Sequence, residues 1–173
     1  IVSPVSPPSN KLAIFSWCLY DFANTIFSMN VISLYFALWV TVDHDGQDIL
    51  YSTALSLSML AVALSVPVFG ALSDTTRKRR VPLIGLTLLC IFSTGMIGTT
   101  NHLWTGLILF MVANYGYQSA LVFYNGMLPS ISRGSHVGLV SGYGVALGYL
   151  GSILGMLLVK PFVESGGRSA AFL

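Results

Sequence analysis

The sequence predicts an all-α membrane protein, and three observations carry that prediction. Hydrophobic residues make up 54% of the 173 and charged residues only 8%, where a water-soluble domain carries roughly a quarter. Mean hydropathy is +0.78. Five apolar runs are each long enough to cross a hydrocarbon core, which needs about 20 helical residues. Strands of a membrane barrel would alternate apolar and polar over about ten residues, and these runs do not. The 6 acids and 8 Lys/Arg fall mostly between the runs, so the surface that would face water faces lipid. The bilayer is the first expected partner.

Residues 1–11 read as a flexible tail, with Pro4, Pro7 and Pro8 and a single charge at Lys11. The run that follows is too long for a signal-peptide core. The first span is expected from Leu12 to Val42, ending at Asp43. The second runs from Ile49 to Ser73 and stops at the charges from Asp74 to Arg80, with Pro67 predicting a kink. The third is Val81 to Thr99. The fourth is Leu103 to Leu128, with Pro129 as its stop. The fifth is Val137 to Val159, before Lys160 and Pro161. Ala170 to Leu173 reads as the opening of a sixth.

Orientation follows from the basic residues, which accumulate on the cytoplasmic side of membrane proteins. With five spans, the tail, the 74–80 loop and the 129–136 loop share one side. That side holds Lys11, Arg77, Lys78, Arg79, Arg80 and Arg133, six of the 8 Lys/Arg. The other holds Lys160 and Arg168 beside Asp43, Asp45, Asp48 and Glu164. The N-terminus is therefore expected in the cytoplasm. A basic cluster confined to one loop gives no reason to expect nucleic acid. Cys18 and Cys90 sit inside apolar runs, read as small hydrophobes, and no metal site, cofactor or phosphate loop is expected.

Ionisable and amide groups inside a span are costly and therefore informative. Asp21 lies ten residues beyond Lys11, about 15 Å along a helix. Trp17, Asp21, Asn24, Ser28 and Tyr35 recur at steps of four, three, four and seven, which places them on one stripe. The stripe either lines a path for substrate or protons, or glues neighbouring helices together. Asn114, Gln118 and Asn125 repeat the pattern in the fourth span, flanked by Tyr117 and Tyr124. Amides and phenols suit a polar ligand, so a cavity wall is the expectation. In the fifth span Ser141, Gly144, Gly148, Gly151 and Gly155 form a small-residue stripe, which lets two helix backbones approach closely.

The segment Gly70-Ala71-Leu72-Ser73-Asp74-Thr75-Thr76-Arg77-Lys78-Arg79-Arg80 resembles the loop between spans two and three of the major facilitator superfamily. Thr75 and Arg77 stand where that pattern has a basic residue and a glycine. The resemblance implies a conformational latch built from Gly70, Asp74, Arg77, Arg79 and Arg80. Three further segments are similar to the autophagy-related vacuolar effluxer-like branch and its bacterial relatives. They are Trp17-Cys18-Leu19-Tyr20-Asp21-Phe22-Ala23-Asn24, Tyr124-Asn125-Gly126-Met127-Leu128-Pro129, and Gly142-Tyr143-Gly144-Val145-Ala146-Leu147-Gly148-Tyr149-Leu150-Gly151.

That resemblance implies that residues 12–173 are the N-terminal six-helix half, truncated in helix 6, of a twelve-helix transporter. It implies a small-molecule substrate, with amino acids as a candidate class, and the C-terminal half as a partner. Asp21, Asn24, Ser28, Asn114, Tyr117, Gln118, Tyr124 and Asn125 would form the substrate and ion pathway, and no enzymatic activity is expected. The membrane would be the bacterial inner membrane, or the vacuolar one in a fungus. The rival readings are a non-transporting receptor or scaffold, and a half-size transporter acting as a dimer.

Overall fold

A computed structural model describes residues 11–76, 79–132 and 136–173. Five helices are long and apolar enough to span a membrane. They are α1 (Lys11–Asp43), α2 (Asp48–Thr76), α3 (Arg80–Thr99), α4 (Leu103–Ile131) and α5 (Val137–Gly166). A short 3-10 helix, Arg168–Phe172, follows in the stretch expected to open a sixth span. The chain reverses at each connection. The 76–80 and 131–137 connections therefore share a basic end of the bundle with Lys11. The 43–48 and 99–103 connections share the opposite, acidic end.

Two helix ends differ from expectation. The fourth helix runs through Pro129 to Ile131, and the fifth through Pro161 to Gly166. Proline deletes one backbone donor, and a membrane helix tolerates that loss where other groups take over the freed carbonyls. Serine hydroxyls near both prolines bond other carbonyls of the last turns, Ser130 to Met127 at 2.6 Å and Ser165 to Pro161 at 3.0 Å, and not the freed carbonyls of Asn125 and Leu157. Pro67 also lies inside its helix.

Helix α1 is not uniform. It is α-helical to Phe27 and widens into π-helical turns at Ser28–Tyr35 and Trp39–Asp43. Such turns rotate the downstream face of a helix and recur at functional sites. Here they aim Val31, Ile32, Tyr35, Phe36, Trp39 and Val40 inward, all buried.

Three pairings hold the bundle: α1 on α5, α3 on α4, and α2 on α4. At the acidic end the core is aromatic. Phe36 and Phe110 stack at 4.0 Å with planes 4° apart. The Trp39 ring packs against Gly106, where a methyl group would come within 2.3 Å of the indole. The turn after α5 ties this end together. Arg168 pairs with Asp43, the Trp39 indole N–H donates to Ser169 Oγ at 3.3 Å, and Phe172 is buried against Phe36 and Trp39. At the basic end Trp17, Cys18, Tyr124 and Val140 form a second core.

Candidate functional site

The glycines of α5 decide how α1 sits. Gly144, Gly148, Gly151 and Gly155 are all buried, and each faces α1. A methyl group on Gly151 would lie 2.6 Å from the Phe22 carbonyl oxygen, and one on Gly155 2.8 Å from Ile26 Cγ2. At Gly144 it would meet the Trp17 ring at 2.5 Å, and at Gly148 the Thr25 hydroxyl at 2.7 Å. At these four positions α1 thus packs directly on the backbone of α5.

Asp21 is set into this seam. Its Oδ2 lies 3.3 Å and 3.4 Å from the positions that side chains on Gly144 and Gly148 would take. The face of α5 over the carboxylate is therefore bare backbone. Partners come from the other side. Trp17 and Tyr124 stack at 4.5 Å with planes 8° apart and exchange two hydrogen bonds. The indole N–H donates to the Tyr124 carbonyl, and the Tyr124 hydroxyl donates to the Trp17 carbonyl, each at 3.2 Å. That hydroxyl, whose proton goes to Trp17, is also a polar neighbour of the Asp21 carboxylate. Tyr20 stacks on Tyr124 at 4.9 Å, and its own hydroxyl meets Thr87 Oγ1 at 2.9 Å. Thr25 Oγ1 donates to the Asp21 backbone carbonyl at 2.8 Å. Among the described residues, Asp21 is the one carboxylate deep within a span.

The other polar residues of the two stripes are divided among different clefts. Asn24 lies about 60° round the helix from Asp21. It lines a cavity of about 300 Å³ between α1, α3 and α4, away from the α5 seam. Ser28 is a polar neighbour of Tyr117, whose ring packs on Phe27 at 5.1 Å. On α4, Asn114 is fully buried and donates through Nδ2 to Ser58 Oγ of α2 at 2.7 Å. Gln118 is half-buried and Asn125 exposed, one and three turns further along. The structure thus brings together Asp21 with Tyr124, and Ser28 with Tyr117. Asn24 shares its cavity with Tyr117, while Asn114, Gln118 and Asn125 lie apart from it. Tyr20, Thr25, Thr87 and Ser58 were not anticipated. Only Tyr20 and Thr25 carried a signal, as near neighbours of Asp21 in sequence.

At the basic end Arg79 bridges the loop. Its Nε donates to Ser73 Oγ at 2.9 Å and its Nη2 pairs with Asp74 at 3.4 Å. Asp74 is 81% exposed, so this pair contributes about 1 kcal/mol or less to stability. Gly126 of α4 closes over Ser73 and Arg79, within 3.0 and 3.3 Å of where its side chain would be. Gly70 has open space on its side-chain face. Arg80 opens α3 and is exposed, while Arg77 lies outside the described residues. Cys18 and Cys90 are buried and free. Among the described residues no cluster of His, Cys, Asp or Glu could hold a metal ion.

Residues 20–173 match the family described as Major Facilitator Superfamily. An uncharacterized protein of Aquifex aeolicus (strain VF5) is 30% identical over 155 residues, covering 88% of this chain and 39% of the relative. A Bacillus subtilis (strain 168) protein described as an uncharacterized MFS-type transporter, YxiO, is 28% identical over 159 residues, covering 87% of this chain and 36% of the relative. The chain thus spans less than two fifths of the length of either relative. No solved structure matches it significantly.

Proposed function

The chain belongs to the major facilitator superfamily, and from that premise we propose that it is the N-terminal half of a proton-coupled secondary transporter for a small polar solute. The observation that supports coupling most directly is the setting of Asp21. An ionisable group within a span is expensive and is retained where it works. This one rests on bare helix backbone, with the neutral Tyr124 hydroxyl as a polar neighbour. No basic side chain of α4 or α5 neutralises it among the described residues. Proton exchange at the carboxylate would then alter the contact of α1 with α4 through Tyr124. Gln118 and Asn125 would offer amides to the solute from α4. The resemblance to the effluxer-like branch makes amino acids the leading class.

Alternating access requires a second half, and the relatives' length leaves room for one. The Arg79–Asp74–Ser73 cluster would steady the basic end in one access state, as a latch. Reconstituted in proteoliposomes, the full-length protein is expected to accumulate at least one labelled amino acid when a pH gradient is imposed. Accumulation that ignores the gradient, or is absent across the twenty common amino acids, would count against the reading.

The basic end is assigned to the cytoplasm of a bacterial cell, from the distribution of Lys and Arg. Cysteines placed singly by Thr75→Cys and Gln47→Cys, with Cys18 and Cys90 replaced by alanine, are expected to label from opposite sides. Both positions are exposed at the ends of spans. In intact cells an impermeant maleimide should reach only the cysteine at 47, and labelling at 75 alone would invert the assignment.

A further inference from the structure

The five long helices fall into two groups. Helix α1 packs on α5, while α2 and α3 both pack on α4. Side-chain hydrogen bonds cross between the groups. Within the bundle they include the Trp17–Tyr124 pair, Tyr20 with Thr87, and the Tyr51 hydroxyl donating to the Ile32 carbonyl at 2.8 Å. Just beyond the end of α1, His44 makes another, to the 99–103 connection between α3 and α4. Of these side chains, only an imidazole ordinarily changes charge between about pH 5 and 8.

The turn after α1 fixes where that ring sits. Asp45 takes a left-handed φ of 48°, a conformation that aspartate adopts more readily than most residues. Gly46 is folded back so that its amide donates to the Val40 carbonyl at 2.9 Å. A methyl group on Gly46 would lie 2.8 Å from that carbonyl oxygen, so the turn has no slack. The His44 ring is thereby set beside Trp39, with centroids 4.0 Å apart, within reach of a cation–π contact. Its Nδ1 lies 3.1 Å from the Trp39 carbonyl oxygen, and its Nε2 lies 3.1 Å from the Asn101 carbonyl oxygen. A carbonyl oxygen can only accept. A neutral imidazole has one N–H and one lone pair, and only the imidazolium has two donors. Both bonds can therefore exist together only on the charged ring.

We propose that His44 is a pH-operated tie between α1 and the α3–α4 connection at the acidic end. It is closed while the imidazolium donates to both carbonyls. It opens as pH rises through the range in which imidazoles titrate, because one carbonyl is then left facing a ring lone pair. The other charged groups at this end are differently placed. Asp43 is paired with Arg168, Lys160 with Glu164, and Asp45, Asp48 and His102 are exposed. On the orientation proposed above, the tie stands on the outer side, where acid would hold the two helix groups together.

Hydrogen exchange of the full-length protein in lipid nanodiscs tests the tie. Peptides covering residues 40–47 and 99–103 contain the hydrogen-bonded amides of Gly46 and Thr100, one on each side of it. His44→Phe keeps a ring beside Trp39 and removes both donors. Comparing parent with variant at one pH cancels the intrinsic pH dependence of exchange. At about pH 5.5 both peptides should exchange roughly threefold to tenfold more slowly in the parent, the worth of one or two hydrogen bonds. At about pH 8, with one donor left, the difference should shrink to about twofold. His44→Gln, whose amide donates at every pH, covers the case in which the phenylalanine variant fails to fold. The parent-to-glutamine ratio should likewise change with pH. A parent-to-variant ratio that stays constant across this range would overturn the proposal and pass any pH response to the carboxylates of this end. Measured without solute, the result is independent of proton-coupled uptake.

Discussion

Replacing Gly151 with valine is expected to break the α1–α5 seam and remove most of the folded protein. A first methyl at this position lies 2.6 Å from the Phe22 carbonyl oxygen and 3.0 Å from its ring. The ring could turn aside, but the carbonyl belongs to helix backbone and cannot yield without moving α1. Overpacking of a tight interface costs about 1–3 kcal/mol and sometimes more. A backbone obstacle puts this variant at the upper end. Gly142→Val on the same helix is the control, since nothing lies within 4 Å of its side-chain position. It should match the parent protein or gain slightly, because valine is the better helix former. The buried thiols of Cys18 and Cys90 supply the readout, since a thiol-reactive dye reports their exposure on heating. Equal melting temperatures for the two variants would show that the α5 glycines do not set the seam.

Much of the architecture was legible because bilayers impose simple rules. Charged residues end most of the spans, as Asp43, Asp48 and Arg80 do, since a charge is cheap at the interface and expensive within. The glycines of α5 were legible as a packing stripe for a related reason. Their spacing keeps them on one face, and small residues in lipid have few other uses. Prolines misled by three and seven residues, at Ile131 and Gly166 against the expected Leu128 and Val159. Pro129 and Pro161 lie near helix ends, where deleting one donor costs little and the helix continues for another turn or so. Pairings between helices were the illegible part. The stripe from Trp17 to Tyr35 was read as a single surface, but about 60° of rotation sends Asp21 to α5 and Asn24 toward α3. Nothing in one sequence shows which neighbour stands at each azimuth. The π-helical turns from Ser28 onward rotate the face again, without any proline or glycine in that stretch to announce them.

Asp21→Asn is expected to abolish proton-driven accumulation while leaving the bundle folded. The amide keeps the shape of the carboxylate and can donate to the Tyr124 hydroxyl oxygen, whose own proton goes to the Trp17 carbonyl. The bare backbone of Gly144 and Gly148 has room for either group, so the α1–α5 seam should survive. What the variant loses is the ability to take up and release a proton. One pH unit across the membrane supplies about 1.4 kcal/mol for each proton moved, or a tenfold accumulation ratio. The parent transporter should approach that ratio if one proton accompanies each solute, and the variant should fall to unity. Exchange of labelled for unlabelled solute needs no net proton movement and should persist, which separates lost coupling from lost binding. A purely structural Asp21 gives the opposite result: the asparagine variant would accumulate solute with the parent's pH dependence and differ only modestly in stability. In that event Gln118 and Asn125 would remain as solute contacts, and the coupling group would have to lie in the other half. Asp21→Glu adds a further discrimination. It keeps the titrating group but pushes it one methylene further over the α5 glycines, where backbone leaves little room. Coupling should therefore survive in that variant at a reduced rate.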